Sequence, residues 1–151
     1  CRAAGLIMKR QTAGCIVNLS YINGLNPPAL VGAYNVAKAG VINLTQTLAA
    51  ELGIYGVRVN AVCPGPVYTD FNKRVMKERG ESLGVSDTEV IEKIRQSIPL
   101  GRWGKPKDIA QTVSFLCSSR ASWVTGEVWR VSGGLSGVSA TPTFLDSETT
   151  P

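Results

Sequence analysis

Three short apolar segments, separated by segments of helical periodicity, constrain the fold of this chain more than any other feature. The apolar segments are residues 15–20, 57–63 and 126–131, and Gly, Pro or polar turn residues bound them. Segments of this length and composition predict buried β-strands. Residues 34–52 and 107–117 lie between them and carry apolar side chains at helical spacing. This alternation predicts an α/β fold whose parallel strands lie side by side in chain order, joined by right-handed crossovers.

The composition is that of an ordinary globular domain, because 44% of the 151 residues are hydrophobic and 18% are charged. The net charge of +5 comes from Lys and Arg residues scattered along the chain, without a basic run or interleaved aromatic residues. We therefore expect no nucleic-acid partner. No segment is apolar over the length needed to span a bilayer, so we expect no membrane partner either.

Histidine and cysteine usage exclude several kinds of site. The chain has no histidine, which excludes a histidine-dependent triad and most zinc sites, so we expect no metal. Its four cysteines show no CxxC pairing. Cys15 and Cys63 fall inside predicted strands, where a reduced thiol behaves as a small hydrophobic side chain. This usage predicts a reducing, cytoplasmic setting.

Tyr34 and Lys38 are the strongest candidates for chemistry. They lie four residues apart at the start of the segment 34–52, so both side chains belong to one face of the predicted helix. A neighbouring ammonium group favours the ionised phenol, so we expect the pKa of Tyr34 to fall below its usual value of about 10. Such a phenol can give a proton to a carbonyl oxygen or take one from an alcohol. For this pair alone, an ordinary helix with an exposed lysine is the alternative.

Several motifs around this pair resemble, in order and spacing, those of the short-chain dehydrogenase/reductase family. They are Tyr-x-x-x-Lys at Tyr34 and Lys38, Pro-Gly at residues 64–65, Pro-Leu-Gly-Arg at residues 99–102 and Gly-Gly at residues 133–134. The chain most resembles the 3-oxoacyl-carrier-protein reductase and glucose-dehydrogenase-like branches. The resemblance implies a doubly wound Rossmann-type parallel sheet, NAD or NADP as cofactor, and a small-molecule carbonyl or alcohol substrate. It also implies that Tyr34 is the general acid or base, and that Lys38 holds the ribose and lowers the pKa of Tyr34.

A second group of candidates follows the second strand at its carboxyl end, where open parallel sheets bind ligands. Gly65 permits close approach of the backbone to a ligand, and Pro64 stiffens the turn. The resemblance implies that this turn faces the nicotinamide, with backbone groups of Val67 at the carboxamide. It further implies that the Thr69 hydroxyl contacts the carboxamide or the phosphate region. A simple strand-ending turn is the alternative.

One position departs from the family pattern. In the family motif Ser-Ser-x-x-Gly, a serine hydroxyl binds the substrate oxygen, whereas this chain has Ser-Tyr-Ile-Asn-Gly at residues 20–24. The catalytic serine position therefore falls on Tyr21, and Ser20 matches the first serine. Adjacent residues in an extended segment point in opposite directions, so we expect the Ser20 side chain to face away from the substrate. The alternative function is a non-catalytic binding or assembly subunit that keeps the fold.

The phosphate loop of dinucleotide-binding domains is absent from the sequence. Neither Gly-x-x-x-Gly-x-Gly nor Gly-x-Gly-x-x-Gly is present. We therefore predict that residues 1–137 form the C-terminal half of a Rossmann-type domain that lacks its N-terminal strands, and that this fragment is inactive alone. Residues 138–151 are rich in Ser, Thr and Pro, and we predict that they form a flexible tail.

Two predicted helices, residues 2–10 and 34–52, are candidates for contacts between subunits. The second carries more apolar residues than one sheet-facing stripe requires, including Val41, Ile42 and Leu44. Family members commonly assemble as tetramers through the matching helices. We therefore expect a homo-oligomer, most simply a tetramer.

Overall fold

The computed structural model describes residues 1–137, except for the side chains at positions 79, 82 and 83. Five helices and three strands follow one another in this part of the chain. In order they are α1 (Arg2–Gln11), β1 (Gly14–Leu19), α2 (Gly32–Leu52), β2 (Val57–Pro64), α3 (Asp70–Leu83), α4 (Asp87–Ser97), α5 (Pro106–Cys117) and β3 (Val128–Val131).

The three strands form one parallel sheet in the order β1-β2-β3. The register pairs Gly14 with Val57 at one end of β1 and Leu19 with Val62 at the other. Central strand β2 is almost fully buried, as expected for a parallel strand with neighbours on both sides. The predicted strand order and direction are confirmed.

Helices cover both faces of the sheet. On one face, Val57 and Val59 of β2 pack with Ala49 of α2 in a buried cluster. On the other face, the Cys15 thiol of β1 donates a hydrogen bond to the Leu116 carbonyl of α5, with a sulfur–oxygen distance of 3.3 Å. Successive strand residues point to opposite faces, so apolar residues are needed on both. The arrangement is the expected α/β fold.

Several element boundaries differ from the predicted ones by one or two residues. β1 ends at Leu19, because Ser20 leaves the ladder although its N–H still donates to the Val62 carbonyl at 2.9 Å. α2 begins at Gly32, which places Tyr34 within its first turn. β3 begins at Val128, two residues after the predicted start. These shifts leave the pairing of the strands unchanged.

Two capped helices, α3 and α4, occupy the charged stretch 71–98. The Thr69 hydroxyl accepts a hydrogen bond from the Asn72 N–H and caps α3. Ser86 and Glu89 form a capping box at the start of α4. The two helices pack around Trp103, whose indole N–H donates to a carbonyl of α4. Helices α3 and α4 lie beside the carboxyl end of β2.

The predicted flexible tail, residues 138–151, lies outside the described residues and stays a prediction. Within residues 1–137, no helix combines the length and the apolar character needed to cross a bilayer.

Candidate active site

A cleft of about 500 Å³ opens at the carboxyl ends of β1 and β2. Its lining includes Tyr21, Asn23, Tyr34, Gly65, Val67 and Trp103. This is the edge at which open parallel sheets bind ligands. A larger depression, of about 710 Å³, lies at the opposite end of the strands and contains none of the predicted site residues. The candidate chemistry therefore belongs to the smaller cleft.

Tyr34 and Lys38 share one face of α2, as predicted. The Lys38 Nζ lies 5.5 Å from the centroid of the Tyr34 ring, within the range of a cation–π contact. Burial raises the pKa of Tyr34, because the phenolate loses hydration inside the cleft. The predicted lowering of this pKa by Lys38 is therefore wrong, and Tyr34 keeps its proton at neutral pH.

Ser20 and Tyr21 point in opposite directions, as expected from the extended backbone. The Ser20 Oγ donates to the Lys38 backbone carbonyl at 2.7 Å, so this hydroxyl is buried against α2, outside the cleft lining. The Tyr21 ring lines the cleft and meets the Tyr34 ring edge-on, with the centroids 5.9 Å apart. Burial, with a smaller contribution from the Tyr34 charge, raises the pKa of Tyr21 to about 12. The residue at the predicted serine position thus brings an aromatic ring into the cleft.

The turn after β1 is held directly against α2. Residues Ile22–Gly24 form a 3₁₀ turn, and Ile22 is completely buried. A Cβ added at Gly24 would lie 2.8 Å from the carbonyl carbon and oxygen of Lys38. Glycine is needed here because the two backbones approach so closely. This contact fixes how Tyr21 and Asn23 enter the cleft.

Replacement of Gly24 by alanine is expected to destabilise the protein by about 1–3 kcal/mol, because the added methyl group meets rigid backbone. The matched control is Gly53→Ala. Gly53 has φ −58°, and a Cβ there meets nothing within 4 Å. The control should be neutral or stabilising by about 0.4–1 kcal/mol. Thermal and denaturant unfolding would measure both, and equal stability of the two variants would contradict the contact.

The turn after β2 contributes Pro64, Gly65 and Val67 to the cleft. The Gly65 N–H donates to the Val131 carbonyl of β3 at 2.9 Å, and a Cβ at Gly65 would lie 2.7 Å from the Cβ of Ser132. Glycine is thus required by the neighbouring strand, whereas the sequence suggested the approach of a ligand. The Val67 carbonyl accepts a hydrogen bond from the Asn72 side chain at 2.6 Å.

The predicted site residues fall into two groups. Tyr21 and Tyr34 lie together in the cleft with the turn after β2. Lys38, Ser20 and Thr69 lie outside its lining, the first beside the Tyr34 ring, the second against α2 and the third as the cap of α3. The cleft therefore places a neutral phenol next to an apolar wall at the carboxyl end of the central strand.

Comparison with known proteins identifies the family of this arrangement. The family model described as "Enoyl-(Acyl carrier protein) reductase" matches residues 1–136. The chain belongs to the short-chain dehydrogenase/reductase family. Its parallel sheet matches what the sequence resemblance implied for the fold.

Three relatives show the extent of the similarity. The chain is 41% identical over 128 residues to the 3-oxoacyl-[acyl-carrier-protein] reductase of Aquifex aeolicus. This alignment covers 85% of this chain and 47% of that protein. It is 41% identical over 135 residues to the L-rhamnose 1-dehydrogenase (NAD(P)(+)) of Azotobacter vinelandii, covering 89% and 49% of the two. The crystal structure of an F189W actinorhodin polyketide ketoreductase with NADPH aligns with TM-score 0.81 and 33% identity, over 87% of this chain and 50% of that one.

The chain spans about half the length of the curated relatives that it matches. Those relatives are named as reductases and dehydrogenases, and the names and structures specify NAD(P) or NADPH.

Sequence reasoning missed several residues of this short-chain dehydrogenase cleft. Asn23, Asn72 and Trp103 line it, together with apolar side chains of α3 and α4. Asn23 lies in the same five-residue motif as Tyr21, and this position was the only sequence feature that could have indicated its place in the cleft. Trp103 enters from a distant loop, and only the packing of α3 on α4 brings it to the cleft.

The cleft lining is uncharged. Among the described residues that form it, none is Lys, Arg, Asp or Glu, and the polar side-chain groups are two phenols, two amides and the indole N–H of Trp103. Within the described part of the chain, no three His, Cys, Asp or Glu side chains are grouped so that they could hold a metal ion. The cleft therefore presents uncharged polar side chains within an apolar wall.

Proposed function

We propose that this chain forms the proton-transfer and substrate-binding part of an NAD(P)-dependent oxidoreductase that acts on a carbonyl/alcohol pair. The observation that carries the proposal is the neutral Tyr34 phenol in the cleft at the end of the parallel sheet. A raised pKa suits a general acid, because the proton is present at neutral pH when carbonyl reduction needs it. The activities named for the relatives support the same reaction class.

In this reaction Tyr34 gives its proton to the substrate carbonyl oxygen during reduction and accepts one from the alcohol during oxidation. A bound nicotinamide supplies or removes the hydride. Lys38, next to Tyr34 on α2, holds the ribose hydroxyls. The walls of the cleft exclude water from the carbonyl and orient it towards the phenol.

The turn after β2 fits the nicotinamide end of the cofactor. Pro64, Gly65 and Val67 offer backbone and apolar surface without charge, opposite the Tyr34 phenol. Val67 contributes backbone groups to the carboxamide. The Thr69 hydroxyl accepts one hydrogen bond as a helix cap and keeps its own proton to donate to the carboxamide or phosphate region.

The phosphate end of the cofactor requires residues beyond this chain. No glycine-rich phosphate loop is present in the sequence, and the chain matches about half of each relative. We therefore propose that residues 1–137 act as the C-terminal half of a longer Rossmann-type domain and are inactive alone. The experiment compares oxidation of NADH and NADPH with cyclohexanone by residues 1–151 and by the full product of the gene. Turnover by the full product alone supports the proposal, and equal turnover by both contradicts it.

A second candidate function rests on Tyr21. Its ring packs against Tyr34 where a serine hydroxyl is expected, so the chain is alternatively part of a non-catalytic binding or assembly subunit. Such a protein would bind a cofactor or partner without turnover. Cofactor binding by the full gene product, without oxidation of NADH or NADPH even after Tyr21→Ser, would favour this function.

We also propose that α1 and α2 form a contact between subunits, in a homo-oligomer that is most simply a tetramer. Leu6 and Ile7 of α1 are 55% and 50% exposed, and Leu44 of α2 is 46% exposed. Leu6 and Leu44 line one shallow apolar groove of about 450 Å³. An apolar surface of this kind on two adjacent helices is typical of a site of association.

Replacement of Leu44 by glutamate is expected to shift the full gene product from oligomer to monomer, because it places a charge in this groove. The matched control is Ile54→Glu. Ile54 is 81% exposed and lies outside the groove, so the control should leave the oligomer intact. Light scattering at micromolar concentration measures both, and a parent protein that is monomeric there contradicts the proposal.

The cysteines support a reducing compartment such as the cytoplasm. All four are free, and the thiols of Cys15 and Cys117 interact without forming a disulfide. Fluorescence microscopy of a tagged full gene product would test this location, and export of the tag from the cell would contradict it.

A further inference from the structure

The amide of Asn23 is the most unusual polar group in the cleft. The residue is only 7% exposed, and its side-chain oxygen has no hydrogen-bond partner. Asn23 also lines the cleft beside Tyr21 and Tyr34. A buried acceptor without a partner costs free energy, so such groups are uncommon in native proteins.

The backbone holds this amide in place. Asn23 is the middle residue of the 3₁₀ turn, between buried Ile22 and Gly24, which contacts the backbone of α2. The Gly24 N–H donates to the Tyr21 carbonyl and the Leu25 N–H to the Ile22 carbonyl, both at 3.0 Å. The turn therefore cannot carry the amide out to solvent without breaking these contacts.

Asn35 provides a comparison. Its side-chain oxygen is also buried without a partner, but its amide nitrogen donates to the Pro28 carbonyl at 2.8 Å, so Asn35 has a role in the fold. Asn35 is not part of the cleft lining, whereas Asn23 is. Asn23 is therefore the amide whose missing partner can come from a bound molecule.

We propose that Asn23 binds a hydroxyl group of the substrate, so that the protein acts on uncharged, largely apolar hydroxy ketones and the matching diols. This inference rests on the proposed oxidoreductase function and specifies its substrate class. A carbonyl oxygen of the amide accepts only, so its partner must be a donor. A hydroxyl fits this requirement while Tyr34 serves the reacting carbonyl.

The other residues of the cleft lining restrict the substrate class further. An amine donor would be cationic at neutral pH, and the described lining offers no carboxylate to pair with it. An anionic group would equally lack a Lys or Arg partner there. Pro, Val, Met, Ile, Phe and Trp side chains form most of the walls, so the carbon skeleton is expected to be apolar.

The experiment measures binding by the full product of the gene, with NADH or NADPH present, using isothermal titration calorimetry. The probes are 2-, 3- and 4-hydroxycyclohexanone, with cyclohexanone as the matched ketone without a hydroxyl. At least one hydroxy ketone should bind about three- to tenfold more tightly than cyclohexanone. In Asn23→Leu, this ratio should fall to about one.

The thermal stability of unliganded Asn23→Leu is an independent test of the unpaired Asn23 oxygen. Leucine replaces a buried acceptor that has no partner, so Asn23→Leu should melt at the same temperature as the parent or higher. If Asn23→Leu fails to fold, Asn23→Ala takes its place in the binding measurement. Two results overturn the proposal: no hydroxy ketone binds more tightly than cyclohexanone, or the preference persists in the variant.

Failure of this inference is distinguishable from failure of the proposed function. Turnover of ketones without any preference for the hydroxyl rejects the role of Asn23 and keeps the oxidoreductase function. A binding preference that depends on Asn23, without turnover of any ketone even in Tyr21→Ser, keeps the hydroxyl site and rejects the oxidoreductase function.

Discussion

Tyr21→Ser is expected to raise the rate of carbonyl reduction by the full gene product by about a hundredfold. A hydrogen-bond donor placed at the reacting oxygen typically contributes a factor of this size. We assign that place to Tyr21, whose ring lines the cleft and packs edge-on against Tyr34. Serine both restores a small hydroxyl and opens space for the substrate. The measurement is oxidation of NADH or NADPH with cyclohexanone.

The free energy of unfolding of Tyr21→Ser should fall while its rate rises. Tyr21 packs against the buried cluster of Ile22 and Cys63, so loss of its ring is expected to destabilise the protein by about 2–4 kcal/mol. A lower melting temperature together with a higher rate would show that the gain comes from the site and not from a better fold.

Ser20→Ala is the matched control for this prediction. The Ser20 hydroxyl bonds to the Lys38 carbonyl and lies outside the cleft, so its loss should cost about 1 kcal/mol of stability and little activity. If Ser20→Ala abolishes turnover, or if Tyr21→Ser is no faster than the parent, the assignment of the serine position to Tyr21 is wrong.

Tyr34→Phe is expected to lower the turnover rate by a factor of about 10²–10⁴, in the parent and in Tyr21→Ser alike, because it removes the proton donor. The ring and its packing against Tyr21 are kept, so stability should change little. Because Tyr21→Ser is expected to turn over faster than the parent, a loss of rate is measured over the widest range in that background. Binding of NADH, followed by calorimetry, should be preserved.

The matched control removes a phenol elsewhere. Tyr55 lies between α2 and β2, where its ring packs beneath Lys9, far from the cleft lining. Tyr55→Phe should therefore leave the rate unchanged. Full activity of Tyr34→Phe would show that another group supplies the proton, and the proposed mechanism would be rejected.

Much of the fold and part of the site could be predicted from the sequence. Apolar strands alternating with helical periodicity predicted the parallel order β1-β2-β3, because side-chain periodicity directly reflects which faces are buried. The four-residue spacing of Tyr34 and Lys38 predicted a shared helical face. Alternation along an extended segment predicted that Ser20 and Tyr21 would diverge. The shared helical face and the divergence of Ser20 and Tyr21 depend on the local backbone alone.

Only the tertiary structure determined the environment of each group. The sequence predicted a lowered pKa for Tyr34, but burial by residues distant in the chain raises it. A Cβ at Gly65 would meet Ser132, which follows β3, and the Thr69 hydroxyl caps α3. The side-chain oxygen of Asn23 is buried without a hydrogen-bond partner in the folded chain. Burial, close contacts and unpaired hydrogen-bonding groups arise when distant segments pack together, so local patterns do not encode them.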